Sequence, residues 1–217
     1  KMSYYEHCRY RNFEGVVIVC ANFDDPDVIE LMNSEIPVVT IDYVHHNCTA
    51  VTSNNIQGME DLVKYIYSQG HRKIAYIHGQ EGSSVTRDRL ASFYRTIDEL
   101  GLEIPDTYVR SADYLETKGS AKQTKELLNL EDPPTCIIYP DDTSLIGGRN
   151  VIIEMGLRIP RDISVAGYDG TMISQLLYPK LTTIRQNTEM IGSEAATRLI
   201  GTIEKPRTTL VERVVIE

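Results

Sequence analysis

Short apolar runs alternate with amphipathic segments along most of this 217-residue chain. The runs 16–21, 73–78 and 135–139 have the length and composition of buried strands. Between the last two, the segment 87–100 repeats its apolar residues at helical spacing, and Gly101 ends it. A strand that is followed by a helix and then by another strand pairs in parallel with its neighbour. The alternation therefore predicts an α/β fold with parallel sheets and helices on both faces.

The stretch 156–184 places a carboxylate at the end of one of these strands. Gly156 suits the left-handed residue that closes a helix, and the apolar run 163–168 leads directly into Asp169 and Gly170. The loops that leave the carboxyl ends of parallel strands open into one crevice, where ligands usually bind. Asp169 is thus a candidate ligand-binding residue.

Five motifs keep one order and spacing from about Phe13 to the C-terminus. Residues 160–169 read Pro-Arg-Asp-Ile-Ser-Val-Ala-Gly-Tyr-Asp, and Leu-Thr-Thr-Ile follows at 181–184. Residues 70–77 read Gly-His-Arg-Lys-Ile-Ala-Tyr-Ile, residues 86–93 read Thr-Arg-Asp-Arg-Leu-Ala-Ser-Phe, and 36–42 fits a further strand. Together they resemble the effector-binding domain of the lactose/galactose-repressor (LacI/GalR) family.

The resemblance implies a type I periplasmic-binding-protein-like fold, with two Rossmann-like lobes that each contain a parallel sheet. Residues 1–54 would form a partial N-terminal lobe and residues 55–181 the C-terminal lobe. Residues 182–217 would form a crossover, a helix that returns to the N-terminal lobe, and a final strand. Family members carry further elements and a DNA-binding headpiece before the position of Lys1, so the resemblance also implies an incomplete N-terminal lobe.

Four polar residues are candidates for ligand binding: Arg89, Tyr114, Asp141 and Asp169. Three of them follow predicted strands, and Arg89 opens the helix after another. A carboxylate accepts hydrogen bonds from two sugar hydroxyls, a guanidinium donates to adjacent oxygens, and an aromatic ring covers the apolar C–H face of a sugar. In the family, the residues at these four positions face the effector, which would bind between the lobes.

Each candidate also has a purely structural interpretation. Arg89 can be a helix-surface residue paired with Asp88 or Glu81, and Tyr114 can pack within its lobe. We expect Asp141 or Asp142 to be the N-cap of the helix that begins near Thr143, and Asp169 can simply form a turn before Gly170.

The sequence departs from the family pattern at Asp141, where asparagine is common, and at Ser92, where glycine is usual. An additional negative charge argues against an anionic effector and favours a neutral or amino sugar.

Charge and cysteine content narrow the functional class. There are 31 acidic residues against 22 basic residues, so the net charge is −9, which is unsuitable for a phosphate-binding surface. This chain is not expected to bind DNA by itself. Cys8, Cys20, Cys48 and Cys136 have irregular spacing, which favours free thiols in a reducing cytoplasm. No apolar stretch approaches the roughly 20 residues that span a bilayer.

The sequence offers no recognisable catalytic, cofactor or metal site. His45, His46 and Cys48 form a cluster without a second ligand pair at zinc-like spacing. There is no glycine-rich phosphate loop and no Gly-x-Ser-x-Gly elbow, and Ser83 and Ser84 have no base at a recognisable spacing. A small flavodoxin-like enzyme is therefore disfavoured.

The resulting expectation is the effector-binding and dimerisation domain of a bacterial transcriptional repressor. A small sugar or related metabolite would control a DNA-binding headpiece that is absent from this chain, and the assembly would be a cytoplasmic homodimer. The alternative is an exported sugar-binding protein of a transport system with the same fold.

Overall fold

The computed structural model describes residues 2–20 and 22–217 and divides them into two compact units. Unit 1 comprises the described residues of Lys1–Asn54 together with Asn187–Glu217, and unit 2 comprises Asn55–Gln186. Lys1 and Ala21, which belong to the predicted N-terminal lobe and to the predicted strand 16–21, lie outside the described residues.

The helices and strands follow one another in strict alternation over most of the chain. In order they are α1 Tyr4–Arg11, β1 Val16–Ile18, α2 Pro26–Met32, β2 Val38–Ile41, β3 Thr49–Ser53, α3 Asn55–Ser68, β4 Ile74–His78, α4 Ser84–Glu99, a 3-10 turn Asp106–Tyr108, β5 Val109–Ser111, α5 Thr117–Leu128, β6 Cys136–Ile138, α6 Asp142–Glu154, β7 Ser164–Asp169, α7 Met172–Leu176, β8 Thr182–Arg185, α8 Thr188–Glu204 and β9 Arg213–Ile216.

Unit 1 contains a parallel sheet in the order β1-β2-β3-β9. Val16 pairs with Val38, and Ala50 with Arg213. One face packs on α8 through Val39, Val51 and Ile191, and the other packs on α1 and α2. Helix α2 begins at Pro26 because the Asp25 side chain accepts a hydrogen bond from the Asp27 amide and proline suits the first turn.

Unit 2 contains a five-stranded parallel sheet in the order β5-β4-β6-β7-β8. Successive residues of a strand point to opposite faces, so Ile74 and Tyr76 pack with α3 and α4, whereas Ala75 and Ile77 pack with α5 and α6. The central strands β4 and β6 are buried on both faces, which explains why their sequences are continuously apolar. The predicted α/β class with parallel sheets is confirmed.

The boundary between the C-terminal lobe and the crossover differs from the prediction. Residues 182–185, expected in the crossover, form β8 and pair with β7, so unit 2 ends at Gln186. Two local predictions are met: Gly156 adopts φ +77° at the end of α6, and α6 begins at Asp142 beside the expected aspartate cap.

All four cysteines are free thiols; Cys20 is exposed and the other three are buried. Among the described residues, no helix combines the length and the apolar character that a membrane crossing requires.

Candidate functional site

The four predicted site residues lie at the carboxyl edge of the sheet in unit 2. Tyr114 follows β5, Asp141 follows β6, Asp169 ends β7, and Arg89 lies in the second turn of the helix that follows β4. These strands are neighbours in the sheet, and parallel strands all end at the same edge. The fold therefore brings together side chains that are far apart in the sequence.

Arg89 is a buried cation, only 2% exposed. Its Nε donates to Oδ1 of Asn55 at 2.8 Å, and its Nη1 donates to the carbonyl oxygen of Pro140 at 2.9 Å. Its guanidinium carbon lies 3.4 Å from the centroid of the Tyr168 ring, a cation–π contact. The surface interpretation of Arg89 is wrong; Arg87 is the arginine that approaches Asp88, with 3.5 Å between Nε and Oδ1.

The surroundings of Arg89 keep the guanidinium charged. Burial lowers its pKa, but Tyr114, Tyr168, Tyr76 and Asp169 together outweigh burial, so the pKa is raised. Three tyrosines and one carboxylate thus surround one fixed positive charge. A buried charge is tolerated in a fold when it is paired and hydrogen-bonded in this way.

Tyr114 is half-buried and held by its hydroxyl, which lies 2.9 Å from Oγ1 of Thr86. Its ring rests against Gly79, where an added Cβ would lie 2.0 Å from the ring. Burial raises the pKa of the phenol, which therefore stays protonated. One side of the Tyr114 ring packs within unit 2, and the rest of the ring is exposed to solvent.

Asp141 caps α6, as the structural interpretation predicts for one of the two aspartates. It is 1% exposed, and its Oδ1 accepts from the Ser144 amide at 2.7 Å. Its Oδ2 accepts from the Ser144 hydroxyl at 2.8 Å and from the Leu115 amide at 2.9 Å. Both oxygens are occupied by protein donors, so Asp141 fixes the loop that carries Tyr114. Its contact with a ligand stays a prediction, and the loop support is what these hydrogen bonds provide.

The neighbouring Asp142 is equally structural. Its Oδ2 accepts from the amide and the hydroxyl of Thr171, at 2.7 and 2.8 Å. Its Oδ1 is buried beneath Gly167 and has no hydrogen-bond partner within the described part of the chain.

Asp169 is half-buried at the end of β7, with φ at +101°. A positive φ in a residue other than glycine is strained, and such strain concentrates at functional sites. Oδ1 of Asp169 accepts from Nε2 of Gln186 at 2.5 Å. Burial raises the pKa of the carboxyl group, Arg89 and Gln186 oppose that rise, and the net shift is upward.

Asn55, Thr86, Tyr168 and Gln186 contact the predicted residues but were not predicted themselves. Each orients a predicted residue, and the hydrogen bonds that do so join residues 17 to 34 positions apart. Tyr168 was visible within the Gly-Tyr-Asp motif, and alternation along β7 would have separated its face from that of Asp169. The other three carry no local signal.

Unit 1 contains two other features to consider as sites, a close pair of His45 and Cys48 and a cavity. His45 and Cys48 approach to 3.8 Å, but burial raises the pKa of the Cys48 thiol to about 11, and no group of three or more possible metal ligands is found within the described ranges. A cavity of about 250 Å³ opens at the amino edge of the sheet, lined by residues that include Met32, Pro37, Cys48, Thr202 and Leu210.

The profile of periplasmic-binding-protein-like domains matches residues 63–217, which is more than half of the chain. The chain belongs to this family. Within it, the chain is an effector-binding domain of the LacI type, and its fold is the type I fold that the sequence predicts.

Three relatives show the extent of the similarity. The protein named Probable HTH-type transcriptional repressor ExuR, from Bacillus subtilis (strain 168), is 28% identical over 94% of this chain and 62% of its own length. The solved structure of the transcriptional regulator LacI from Bacillus cereus subsp. cytotoxis NVH 391-98 is 25% identical, with a TM-score of 0.88 over 98% of this chain and 76% of that one. The structure titled transcriptional regulator CelR-cellobiose complex is also 25% identical, with a TM-score of 0.85 over 99% of this chain and 68% of that one.

The chain therefore spans about 60% of the length of the curated relatives that it matches. Those relatives are named as transcriptional repressors and not as enzymes, which agrees with the expectation from the sequence.

Proposed function

We propose that this domain binds a small neutral sugar or related polyol at the carboxyl edge of the unit 2 sheet. The observation that carries the proposal is the fixed pair of Arg89 and Asp169 beside Tyr114. Nε and Nη1 of Arg89 donate to Asn55 and Pro140, Oδ1 of Asp169 accepts from Gln186, and the remaining Nη2 and Oδ2 are the atoms that we assign to the ligand. A donor, an acceptor and an aromatic ring in one place suit a ligand with adjacent hydroxyls and an apolar face.

Charge favours a neutral ligand at this site. The charges of Arg89 and Asp169 balance, and Asp141 and Asp142 add negative charge nearby. A negatively charged sugar would have to overcome the repulsion of these carboxylates. The relative in complex with cellobiose, a neutral disaccharide, supports this class of ligand.

In the whole protein, the ligand would control DNA binding by a headpiece outside this chain. The similarity to repressors supports this role. A ligand can shift the balance between two states of the protein only by its different affinity for each, so the sugar must bind more tightly to one state. A cytoplasmic protein is consistent with three buried free thiols.

A homodimer is the proposed assembly, and the segment 172–178 is the proposed contact surface. Met172, Leu176 and Tyr178 are 78%, 74% and 92% exposed, and such a cluster of large apolar side chains is unfavourable in water. A second copy of the same surface would cover it under two-fold symmetry.

Thermal unfolding with a sugar panel tests the ligand assignment. The panel contains neutral monosaccharides and disaccharides, amino sugars, sugar acids and nucleosides. A ligand at 100 times its Kd stabilises the folded state by about 2.7 kcal/mol. We expect this effect from a neutral sugar with the parent chain and with the exposed control Asp113→Ala, and its loss with Asp169→Ala. Stabilisation by sugar acids alone, or an effect that persists in Asp169→Ala, would contradict the proposal.

Sedimentation velocity tests the assembly. We expect the parent chain to sediment as a dimer and Tyr178→Asp as a monomer. Tyr65→Asp, on the exposed face of α3, serves as the matched control and should remain dimeric. A Tyr178→Asp variant that remains dimeric would place the interface elsewhere.

A further inference from the structure

We infer that Asn55 and Gln186 are positioning residues that link the two charged groups of the site to the two places where the chain crosses between the units. This inference rests on the proposed function, because it assigns roles around the same ligand site. Unit 2 begins at Asn55 and ends at Gln186. One of these carboxamides binds Arg89 and the other binds Asp169.

The first crossing has adjacent residues tied to different units. The Asn54 amide donates to the Ile216 carbonyl oxygen at 2.9 Å, and its side chain donates to both carboxylate oxygens of Glu217, at 3.0 Å each. These partners belong to unit 1. Asn55, the next residue, is buried and accepts the Nε–H of Arg89 at 2.8 Å within unit 2. These hydrogen bonds of Asn54 thus lie within unit 1, whereas that of Asn55 to Arg89 lies within unit 2.

The second crossing repeats the arrangement with other residues. The Gln186 side chain donates to Oδ1 of Asp169 at 2.5 Å, and its amide donates to the Asp169 carbonyl oxygen at 3.2 Å, both within unit 2. The next residue, Asn187, caps α8 of unit 1 by accepting from the Met190 amide at 3.2 Å. Again, one peptide link separates residues that are anchored in different units.

These bonds give each carboxamide two roles. They fix the orientation of Arg89 and Asp169 before a ligand arrives, which lowers the entropic cost of binding. They also connect the ligand-contacting groups directly to the crossings, so a ligand that pulls on Arg89 or Asp169 changes the forces at both links. Residues that absorb backbone changes at the ends of elements are the usual positions of hinges.

The first experiment needs no ligand and tests Asn55. In a ¹⁵N-labelled chain, the buried Nε–H of Arg89 gives a proton–nitrogen cross-peak, which is assigned by its loss in Arg89→Lys. We expect Asn55→Leu to shift or broaden this peak and Asn55→Asp to retain it, because aspartate keeps the acceptor oxygen. The control Asn129→Leu, at the end of α5, leaves it unchanged. An unmoved peak in Asn55→Leu overturns the role of Asn55.

The second experiment tests Gln186 through the titration of Asp169. The hydrogen bond from Gln186 opposes the rise of the Asp169 pKa, so its loss should raise the midpoint of the carboxyl titration, followed by ¹³C NMR. We expect this rise in Gln186→Leu and not in Gln175→Leu, a glutamine of the same unit whose carboxamide contacts Ser174. An equal midpoint in both variants overturns the role of Gln186, whatever the ligand proves to be.

The third experiment tests the link to the crossings, with cellobiose and D-ribose as the probes. In the parent chain we expect the bound sugar to slow hydrogen exchange at residues 54–56 and 186–188. Each Leu variant should bind about tenfold more weakly, a loss of about 1.4 kcal/mol, and should lose the protection at its own crossing. Binding with undiminished protection in both variants overturns the link. If neither sugar binds the parent chain, the proposed ligand class fails, while the two ligand-free experiments still decide the positioning roles.

Discussion

The two units bury polar residues of different kinds. In unit 1, the buried polar residues within the described ranges are the hydroxyl side chains Thr40, Thr49, Thr52 and Ser53. In unit 2 they include Arg89, Asp141 and Asp142, which are all ionisable. The strands of both units are parallel and apolar, so the fold alone does not require this difference. Burial of charge is costly, and its concentration in unit 2 is the reason why we propose the ligand site at that sheet edge.

The charged residues of unit 2 also differ among themselves in the groups that they bind. Asp141 and Asp142 are fully enclosed, and their hydrogen bonds run to backbone and hydroxyl groups of neighbouring loops. Arg89 is equally buried but binds a carboxamide, a carbonyl and a ring, and the half-buried Asp169 binds the carboxamide of Gln186. The proposed ligand contacts are therefore the two charged groups Arg89 and Asp169, and the enclosed aspartates hold the neighbouring loops.

The substitution with the largest expected effect tests whether α5 and α6 of unit 2 are packed more tightly than the surface of α8 in unit 1. An added Cβ at Gly147 would lie 2.0 Å from the Thr117 carbonyl oxygen, where α5 and α6 meet. Because neither backbone can move easily, we expect Gly147→Ala to lower the free energy of unfolding by about 3 kcal/mol. Chemical denaturation measures this change.

The matched control is Gly192→Ala, on α8 of unit 1, where nothing lies within 4 Å of an added Cβ. Alanine in an exposed helix should increase stability by about 0.5 to 1 kcal/mol. Equal effects of the two substitutions would show that α5 and α6 are not in close contact.

Two buried tyrosines, Tyr139 and Tyr76, test what a hydrogen-bonded hydroxyl contributes to stability, with an expected difference of about 1 kcal/mol. The Tyr139 hydroxyl lies 2.7 Å from Oγ1 of Thr124, so Tyr139→Phe should cost about 1 kcal/mol. The Tyr76 hydroxyl is equally buried but has no hydrogen-bond partner in the described part of the chain. Tyr76→Phe should be neutral or stabilising by up to about 1 kcal/mol, as measured by denaturation. A loss of stability in Tyr76→Phe would reveal a partner for that hydroxyl.

The smallest expected effect depends on pH. Burial raises the pKa of Asp169 above its unfolded value, so the folded state favours the protonated carboxyl group. The free-energy cost of ionising Asp169 in the folded state is absent well below the pKa that Asp169 has in the unfolded chain. It reaches its full value above the pKa that Asp169 has in the folded chain. Asp169→Asn should therefore stabilise the chain by about 0.5 to 1 kcal/mol at neutral pH. Thermal melts should show this gain disappearing as the pH falls below the usual range of an aspartate. A gain that is independent of pH would mean that the carboxylate charge is not the cause.

The sequence predicted the elements whose burial follows a local period. Strands β4 and β6 are continuous apolar runs, and α3 and α4 repeat apolar residues at helical spacing, so burial on one or both faces is visible locally. The sequence did not show which sheet residues 182–185 join. Their burial is intermediate, and only pairing with β7 decides which sheet they join.

The sequence predicted which side chains lie together at one sheet edge but not the contacts that each of them makes. The carboxyl ends of adjacent strands gave Arg89, Tyr114, Asp141 and Asp169, because parallel topology brings such ends together. The role of each residue depends on contacts between residues that are distant in the sequence, such as Asn55 and Arg89, which are 34 positions apart. A local pattern cannot show that a cation lies over a ring or that both oxygens of an aspartate are occupied.

An NMR titration of the ¹⁵N-labelled chain with cellobiose and D-ribose tests most directly whether the buried charges of unit 2 mark the ligand site. We predict saturable shifts of the Arg89 Nε–H peak and of the amides of Tyr114, Asp169 and Gly170. Shifts confined to the unit 1 cavity around Cys48 and Leu210, or no shift from either sugar in a folded chain, would contradict the account.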